Sequence, residues 1–140
     1  MRLVLDTNVV LSGLLWTGSP MRILAAAQAG EAELFTSRAL LGELYRCLGR
    51  AKFARQVAIS GIGREELFFG YVELATALAP QPIAPVILAD PADDHVLACA
   101  LAARAHAIVS GDRHLLALAA FRDVPVLKPA DALARISAGQ

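Results

Sequence analysis

Short apolar runs alternate with helical patterns along this chain, and that alternation constrains its fold more than any other feature. The runs RLVL (2–5), AELF (32–35), AIVS (107–110) and VPVL (124–127) are too short for helices and contain few polar residues. Such runs are typical of parallel strands that are buried on both faces, with helices in the crossovers. The pattern predicts an α/β fold, a three-layer α/β/α sandwich with a central parallel sheet.

Helix boundaries are marked by capping residues, prolines and glycines. Ser19-Pro20 and Gly30 bound one predicted helix, and Ser37 and Gly49 bound the next. Further helices are predicted over 64–79, from Asp90 to about Ala105, over Arg113–Ala120 and over 129–136. The middle of the chain, between the second and third predicted strands, is predicted to be all helical.

Length and composition indicate one domain over residues 1–140. Thirteen basic and thirteen acidic residues cancel, so any polyanion must be bound by a local group of charges. Asp6 and Asn8 interrupt the N-terminal apolar run before a signal sequence forms, and no run reaches the roughly 18 apolar residues of a membrane helix. Cys47 and Cys99 fit reduced, buried thiols, with a disulfide as the alternative. We expect a cytoplasmic protein without membrane segments.

Four acidic residues are predicted to face one crevice at the carboxyl ends of the parallel strands. Asp6 ends the first strand, and Asp112 lies two residues beyond AIVS. Glu43 lies at the edge of the apolar line of its helix, and Asp94 precedes the inward-facing Leu97 by three residues. Clustered carboxylates repel by about 4 kcal/mol per close pair at an effective dielectric of 20, so they imply bound cations or raised pKa values. Oxygen ligands favour Mg²⁺ or Mn²⁺ over zinc.

A capping or solvent-exposed role explains each of the four acids when it is taken singly, and only together do they indicate a site. Asp93 is an alternative ligand to Asp94, since it also faces Leu97. Its position three residues after Asp90, the expected N-cap, favours a capping role instead.

The motifs that contain these acids resemble the PIN domain, in particular the toxin subgroup of bacterial toxin-antitoxin modules. The resemblance rests on LVLDTNVVLSGL (3–14), SRALLGELYRCL (37–48), DPADDHVLACALAARAHAIVSGD (90–112) and HLLAL (114–118), and it runs through nearly the whole chain. It implies an α/β/α fold and an Mg²⁺- or Mn²⁺-dependent ribonuclease that hydrolyses RNA. The family's acids correspond to Asp6, Glu43, Asp94 and Asp112, the same four that strand ends and helix faces select.

The resemblance also implies roles for these residues and partners for the chain. The four acids act as catalytic residues and metal ligands, with Asp6 as the bridging ligand. Thr7, Asn8 and Ser110 support the acids and a metal-bound water. One ion would lower the pKa of the attacking water, and a second would stabilise the leaving 3′ oxygen. Where the family often has a further acid this chain has His114, so we expect the second ion to bind weakly or only with substrate. A homodimer and a small antitoxin are the expected protein partners.

Arg46, Arg50, Lys52 and Arg55 form the only dense basic stretch and are candidates for contacts with RNA phosphates. The alternative is a solvated helix end, where cations interact favourably with the helix dipole. His114 is a further candidate for substrate contact or proton relay, and a solvated position at a helix start is its alternative.

Two other classes of protein share parts of this pattern. A receiver-like phosphoacceptor domain has a similar sheet, with residues like Ser110 and Lys128-Pro129 after later strands, but it requires adjacent acids where this chain has Thr7 and Asn8 after Asp6. A phosphatase of the haloacid dehalogenase type requires Asp-x-Asp, and position 8 is Asn. A PIN scaffold that binds RNA or protein without cleavage stays an alternative, although the presence of all four acids favours an enzyme.

Overall fold

A mostly parallel sheet occupies the centre of the computed structural model, which describes residues 1–139. In these residues six strands lie in the order β3-β2-β1-β4-β6-β5. They are β1 (Arg2–Leu5), β2 (Glu33–Ser37), β3 (Thr76–Leu78), β4 (Ala107–Val109), β5 (Ala120–Phe121) and β6 (Val124–Leu127). Every pairing is parallel except that of β5 with β6. The predicted fold class is confirmed, and Gln140, the last residue of the predicted domain, lies outside the described residues.

Helices follow the strands and cover both faces of the sheet. They are α1 (Thr7–Leu15), α2 (Ser19–Gln28), α3 (Arg38–Leu48), α4 (Ala54–Ser60), α5 (Arg64–Leu74), α6 (Asp94–Ala103), α7 (Arg113–Ala117) and α8 (Pro129–Ser137). Single 3₁₀ turns precede α4 and α6, at Ala51–Phe53 and Pro91–Asp93. The predicted cap at Ser37 is confirmed, because its hydroxyl accepts the Leu40 N–H at 3.3 Å at the start of α3. The predicted cap at Ser19 is wrong: α2 begins at Ser19 itself, and Gly18 occupies the N-cap position.

The alternation of side chains on β1 divides the core into two layers. Leu3 and Leu5 pack into a cluster that includes residues of α1, α2, α3, α5 and α8. Val4 packs on the opposite face, against α6, Leu115 of α7 and Ile87 of the loop before α6. Because both faces of β1 are covered, its apolar run is continuous rather than alternating.

The position of β1 in the sheet determines where a ligand can bind. The chain runs from β1 to β2 on one side, whereas β4 pairs with β1 on the other, with Leu5 opposite Val109. Ligands of open α/β sheets bind beyond the carboxyl ends of the strands where the strand order reverses. Asp6 follows β1 and Ser110 follows β4, so both lie at this point.

Two predictions of secondary structure are wrong. The helix predicted over 64–79 ends at Leu74, and Thr76–Leu78 forms β3, with Leu78 opposite Ser37. Pairing with the edge of β2 outweighs the helix propensity of this alanine-rich segment. The helix predicted over Arg113–Ala120 ends at Ala117, because Ala120–Phe121 pairs with β6 in a tight hairpin. The sequence pattern also did not predict a separate helix at Thr7–Leu15, where α1 begins directly behind β1.

Among the described residues, no single helix is long and apolar enough to cross a membrane. Helices α1 and α2 would satisfy the length and composition test only as a pair, and they are bent by 87° relative to each other.

Candidate functional site

Asp6 is buried at the carboxyl end of β1, where its backbone N–H donates to the Val109 carbonyl at 2.9 Å. It occupies the N-cap position of α1, but its side chain makes no capping hydrogen bond. The carboxylate instead accepts a hydrogen bond from the Ser110 hydroxyl, with 2.9 Å between Ser110 Oγ and Asp6 Oδ2. The Ser110 hydroxyl therefore holds the side chain of Asp6 toward the end of β4.

Ser110 connects Asp6 to Asp112. The Ser110 side chain is fully buried, and its Oγ accepts the Asp112 backbone N–H at 2.9 Å while it donates to Asp6. Asp112 in turn caps α7, since its Oδ1 accepts the backbone N–H groups of His114 at 2.8 Å and Leu115 at 3.1 Å. Asp112 can therefore cap α7 and also belong to the group of acids, because both described capping bonds go to only one of its two carboxylate oxygens.

Glu43 lies on α3, half-buried, on the side that faces these two aspartates. Burial raises the pKa of the Asp6 carboxyl above its ordinary value, and the negative charges of Glu43 and Asp112 raise it further. The Ser110 hydroxyl and the adjacent backbone N–H of Thr7 act in the opposite direction, because both stabilise the ionised form. Asp6, Glu43 and Asp112 therefore share one electrostatic environment, as predicted from their positions at strand ends and on the helix face.

Asp93 is the fourth acid that the structure brings to this environment. Its side chain is only 8% exposed, and burial raises its pKa to about 7, with further contributions from Asp112, Asp90, Asp6 and Glu43. Asp93 precedes α6 but makes no capping hydrogen bond. The capping role that its spacing favoured is therefore wrong.

The sequence predicted that Asp94 would face Asp6, Glu43 and Asp112. In the structure its carboxylate binds to a loop instead. Asp94 Oδ1 accepts the Ile87 backbone N–H at 3.0 Å, and its Oδ2 accepts that of Val86 at 3.2 Å. Buried and half-buried backbone donors in a loop need such partners, and Asp94 at the start of α6 supplies them. Neighbouring helical residues are separated by about 100° around the axis, so Asp93 and Asp94 point in different directions.

Two buried side-chain oxygen atoms in residues 1–139 have no hydrogen-bond partner, and both belong to this region. They are Asp93 Oδ2 and Thr7 Oγ1. An unpartnered buried polar atom costs about 1–3 kcal/mol, so native proteins seldom leave one without a reason. Thr7, predicted to support the acids, is thus buried beside Asp6, whereas Asn8, predicted for the same role, is exposed.

A polar cavity of about 550 Å³ opens beside Glu43. The lining of this arginine cavity includes Arg38, Gly42, Glu43, Arg46, Arg50 and His95. Arg46 and Arg50 were predicted to contact RNA, whereas Arg38 and His95 were not. The signal for Arg38 was present in the sequence, because residues 38, 42 and 46 recur at intervals of four on one side of α3, and Arg50 follows just beyond its end.

The guanidinium of Arg46 lies close to Gly42 in this cavity. A methyl group on the Gly42 Cα would meet Arg46 Nη1 at 3.4 Å, so the guanidinium lies back along α3 over the glycine, toward the first turn of the helix. The other predicted RNA contacts lie outside the lining of this cavity. Lys52 is exposed, with its ammonium 5.0 Å from the centre of the Phe53 ring, and Arg55 is exposed on α4. His114 is half-buried at the start of α7.

One comparison with known proteins gives a match. The family model described as the PIN domain matches residues 2–114, which contain all the acids discussed above. No curated protein and no solved structure gives a significant match to the chain. The family match agrees with the resemblance stated above and favours neither the receiver nor the phosphatase alternative.

Proposed function

This chain belongs to the PIN-domain family, whose members are generally nucleases, and we propose that it is a metal-dependent ribonuclease that hydrolyses RNA phosphodiester bonds. The observation that carries the proposal is the buried Asp93 oxygen without a hydrogen-bond partner, in the electrostatic environment of four further carboxylates. Such a group lowers its free energy when a cation is bound, because a cation supplies the charge and the ligand contact that the protein itself does not.

The donor set fits a hard divalent cation. Asp6, Glu43, Asp93 and Asp112 offer carboxylate oxygens, which suit Mg²⁺ or Mn²⁺. In residues 1–139 no three acidic, histidine or cysteine side chains are close enough together to form a complete metal site. We therefore propose that one or two ions bind with some movement of these side chains. Asp94, which the resemblance implied, is replaced by Asp93 in this proposal.

Ser110 and Glu43 have separate tasks in the proposed hydrolysis. When bound, a divalent cation supplies a Lewis acid that makes water nucleophilic and stabilises the charge on the phosphate. Ser110 fixes the carboxylate of Asp6 and the backbone of Asp112 through one hydroxyl, which orients both acids before substrate binds. Glu43 lies between the acids and the arginine cavity, where its carboxylate can orient the attacking water.

RNA binding is assigned to the arginine cavity. Arg46 and Arg50 line it together with Glu43, so phosphates held there lie next to the acid cluster. This local group of charges reconciles a formal net charge of +0 with a polyanionic substrate. Lys52, Arg55 and His114 retain at most a peripheral role, since they do not line the cavity.

In the cell, we propose that the chain acts in the cytoplasm as the toxin of a toxin-antitoxin module, as a homodimer controlled by a small antitoxin. The support is the resemblance of LVLDTNVVLSGL (3–14) and DPADDHVLACALAARAHAIVSGD (90–112) to that subgroup. Induced expression in bacteria tests this role. Growth should arrest with the parent protein and continue with Asp6→Asn, and equal growth of the two strains would contradict the toxin assignment.

The enzymatic proposal is tested with purified protein, single-stranded RNA and Mn²⁺. The parent protein should cleave the RNA, a chelator should stop cleavage, and Asp6→Asn should abolish it while the circular dichroism spectrum stays that of the parent. A parent protein that binds RNA without cleaving it would support the scaffold alternative instead.

A further inference from the structure

A second cavity, of about 390 Å³, adjoins the arginine cavity. The two cavities share three lining residues, Arg38, Ala39 and His95. Arg38 and His95 therefore lie between the polar arginine cavity, next to Glu43, and the second cavity, whose lining is largely apolar. An RNA strand whose phosphate lies in the arginine cavity would bring the adjoining part of the nucleotide to this shared wall.

The second cavity has a largely apolar lining. Leu78 at the end of β3, followed by Pro80, Pro82 and Ile83, forms one wall, and Ala98 of α6 contributes to the other. These side chains carry no charge and offer flat or branched apolar surface. A cavity of this size lies within the range that binds small ligands, and its lining suits the faces of an aromatic ring.

Polar groups are placed at the cavity where a nucleobase needs them. Gln81 is exposed and lines the cavity between two prolines, and its amide can both donate and accept hydrogen bonds. The planar side chains of Arg38 and His95 can stack on a base. Unpaired bases in RNA are recognised in this way, by stacking and by hydrogen bonds to their edges.

The loop that carries this wall is held in place before any ligand binds. The Asp94 carboxylate accepts two backbone N–H groups farther along the same loop, at Val86 and Ile87. Prolines at positions 80, 82 and 85 restrict the backbone of this segment. A preorganised wall loses less entropy when a ligand binds, which favours selective binding.

We propose that this second cavity binds one unpaired nucleobase next to the cleaved phosphodiester, so that Gln81 selects the base and duplex RNA is excluded. This inference rests on the proposed ribonuclease function, and it adds a site of sequence preference to it. The source of specificity is thus the loop after β3, separate from the acids that carry out hydrolysis.

The test uses a pool of single-stranded RNA with a randomised segment, Mn²⁺, and sequencing of the product ends. Four proteins are compared: the parent, Gln81→Ala, Ala98→Leu and the control Gln28→Ala, which changes an exposed glutamine on α2. The parent should prefer one base at one position beside the cut, and a duplex of the same sequence should resist cleavage. Gln81→Ala should weaken that preference at least fivefold. Ala98→Leu, which fills the cavity, should raise KM at least tenfold, and Gln28→Ala should behave like the parent.

Three outcomes overturn the inference. They are a parent without base preference, a base preference of Gln81→Ala and a KM of Ala98→Leu that both equal those of the parent, and equal cleavage of duplex and single strand. Failure of the underlying function looks different, because the parent would then give no products at all, and the inference would fall with it. Gln81 is exposed and Ala98 is half-buried, so the circular dichroism spectrum of each variant is compared with that of the parent to exclude an effect on folding.

Discussion

Asp93 and Asp94 are adjacent in sequence, but their carboxylates serve different parts of the molecule. Asp93 is buried in the electrostatic field of Asp6, Glu43 and Asp112, with one oxygen lacking a hydrogen-bond partner. Asp94 accepts backbone N–H groups from the loop that precedes α6. Asp93 is therefore available to a cation, whereas the carboxylate of Asp94 already accepts hydrogen bonds from the protein backbone.

Substitution of Asp94 should loosen the loop before α6. In Asp94→Asn the charged acceptor is lost, so we expect unfolding to become easier by about 1–2 kcal/mol, or a fall in Tm of about 3 °C per kcal/mol. Hydrogen exchange at the amides of Val86 and Ile87 should accelerate. Asp131→Asn, an exposed substitution on α8, is the control. Unchanged exchange at both amides would show that Asp94 does not hold the loop.

Stability without metal should fall as pH rises, because Asp93 binds a proton more tightly in the folded state. Its pKa lies at about 7 in the folded protein and near 3.8 when it is unfolded. Between these values the native state holds more protons than the unfolded state, so the free energy of unfolding decreases from about pH 4 to about pH 7. Asp93→Asn should flatten this dependence.

Urea unfolding in the presence of a chelator, at pH 5 and pH 8, measures this effect. The parent should unfold at lower urea concentration at pH 8, and Asp131→Asn should match the parent at both pH values. A parent protein that is equally stable at both pH values would contradict the assignment of the raised pKa to Asp93.

Loss of the Ser110 hydroxyl should weaken metal binding and shift the pH dependence of cleavage. Ser110→Ala removes the hydrogen bond that favours ionised Asp6, so the acidic limb of the pH–rate profile should move to higher pH. Loss of such a supporting contact typically reduces metal affinity or activity by about 10–100-fold. Ser137→Ala, at an exposed position, is the control. A simple loss of rate without a shift of the profile would indicate a purely structural role.

The arginine cavity predicts which basic residues matter for RNA binding. Arg46→Ala and Arg50→Ala should each weaken binding of single-stranded RNA and lower the salt dependence by about 0.7 for each lost phosphate contact. Lys52→Ala and Arg55→Ala carry the same change of charge outside the cavity and are matched controls. Binding to catalytically inactive Asp6→Asn protein, measured over a range of salt concentrations, gives these slopes. Equal effects of all four substitutions would indicate a diffuse field in place of a defined cavity.

Much of this site could be predicted from the sequence, because it depends on local rules. Asp6 and Asp112 follow short apolar strands, and the carboxyl ends of parallel strands lie at one edge of a sheet. Glu43 lies on the edge of an apolar helix stripe. The strand ends and the helix periodicity therefore placed these three acids without any knowledge of long-range contacts.

The choice between Asp93 and Asp94 could not be made in that way. Asp93 precedes Leu97 by four residues and Asp94 by three, so both are compatible with the inward side of α6. Which of the two acids faces the site depends on the loop before α6, because the N–H groups of Val86 and Ile87 donate hydrogen bonds to Asp94. The sequence did not predict β3 for a similar reason. Thr76–Leu78 is extended because it pairs with the edge of β2, which is a long-range contact.

The most direct test compares cleavage of single-stranded RNA by the parent, Asp93→Asn and Asp94→Asn, with Mn²⁺ at equal protein concentration. We predict that Asp93→Asn lowers the cleavage rate more than 100-fold and Asp94→Asn less than tenfold. The reverse order, with Asp94→Asn inactive and Asp93→Asn active, would contradict the account of this site.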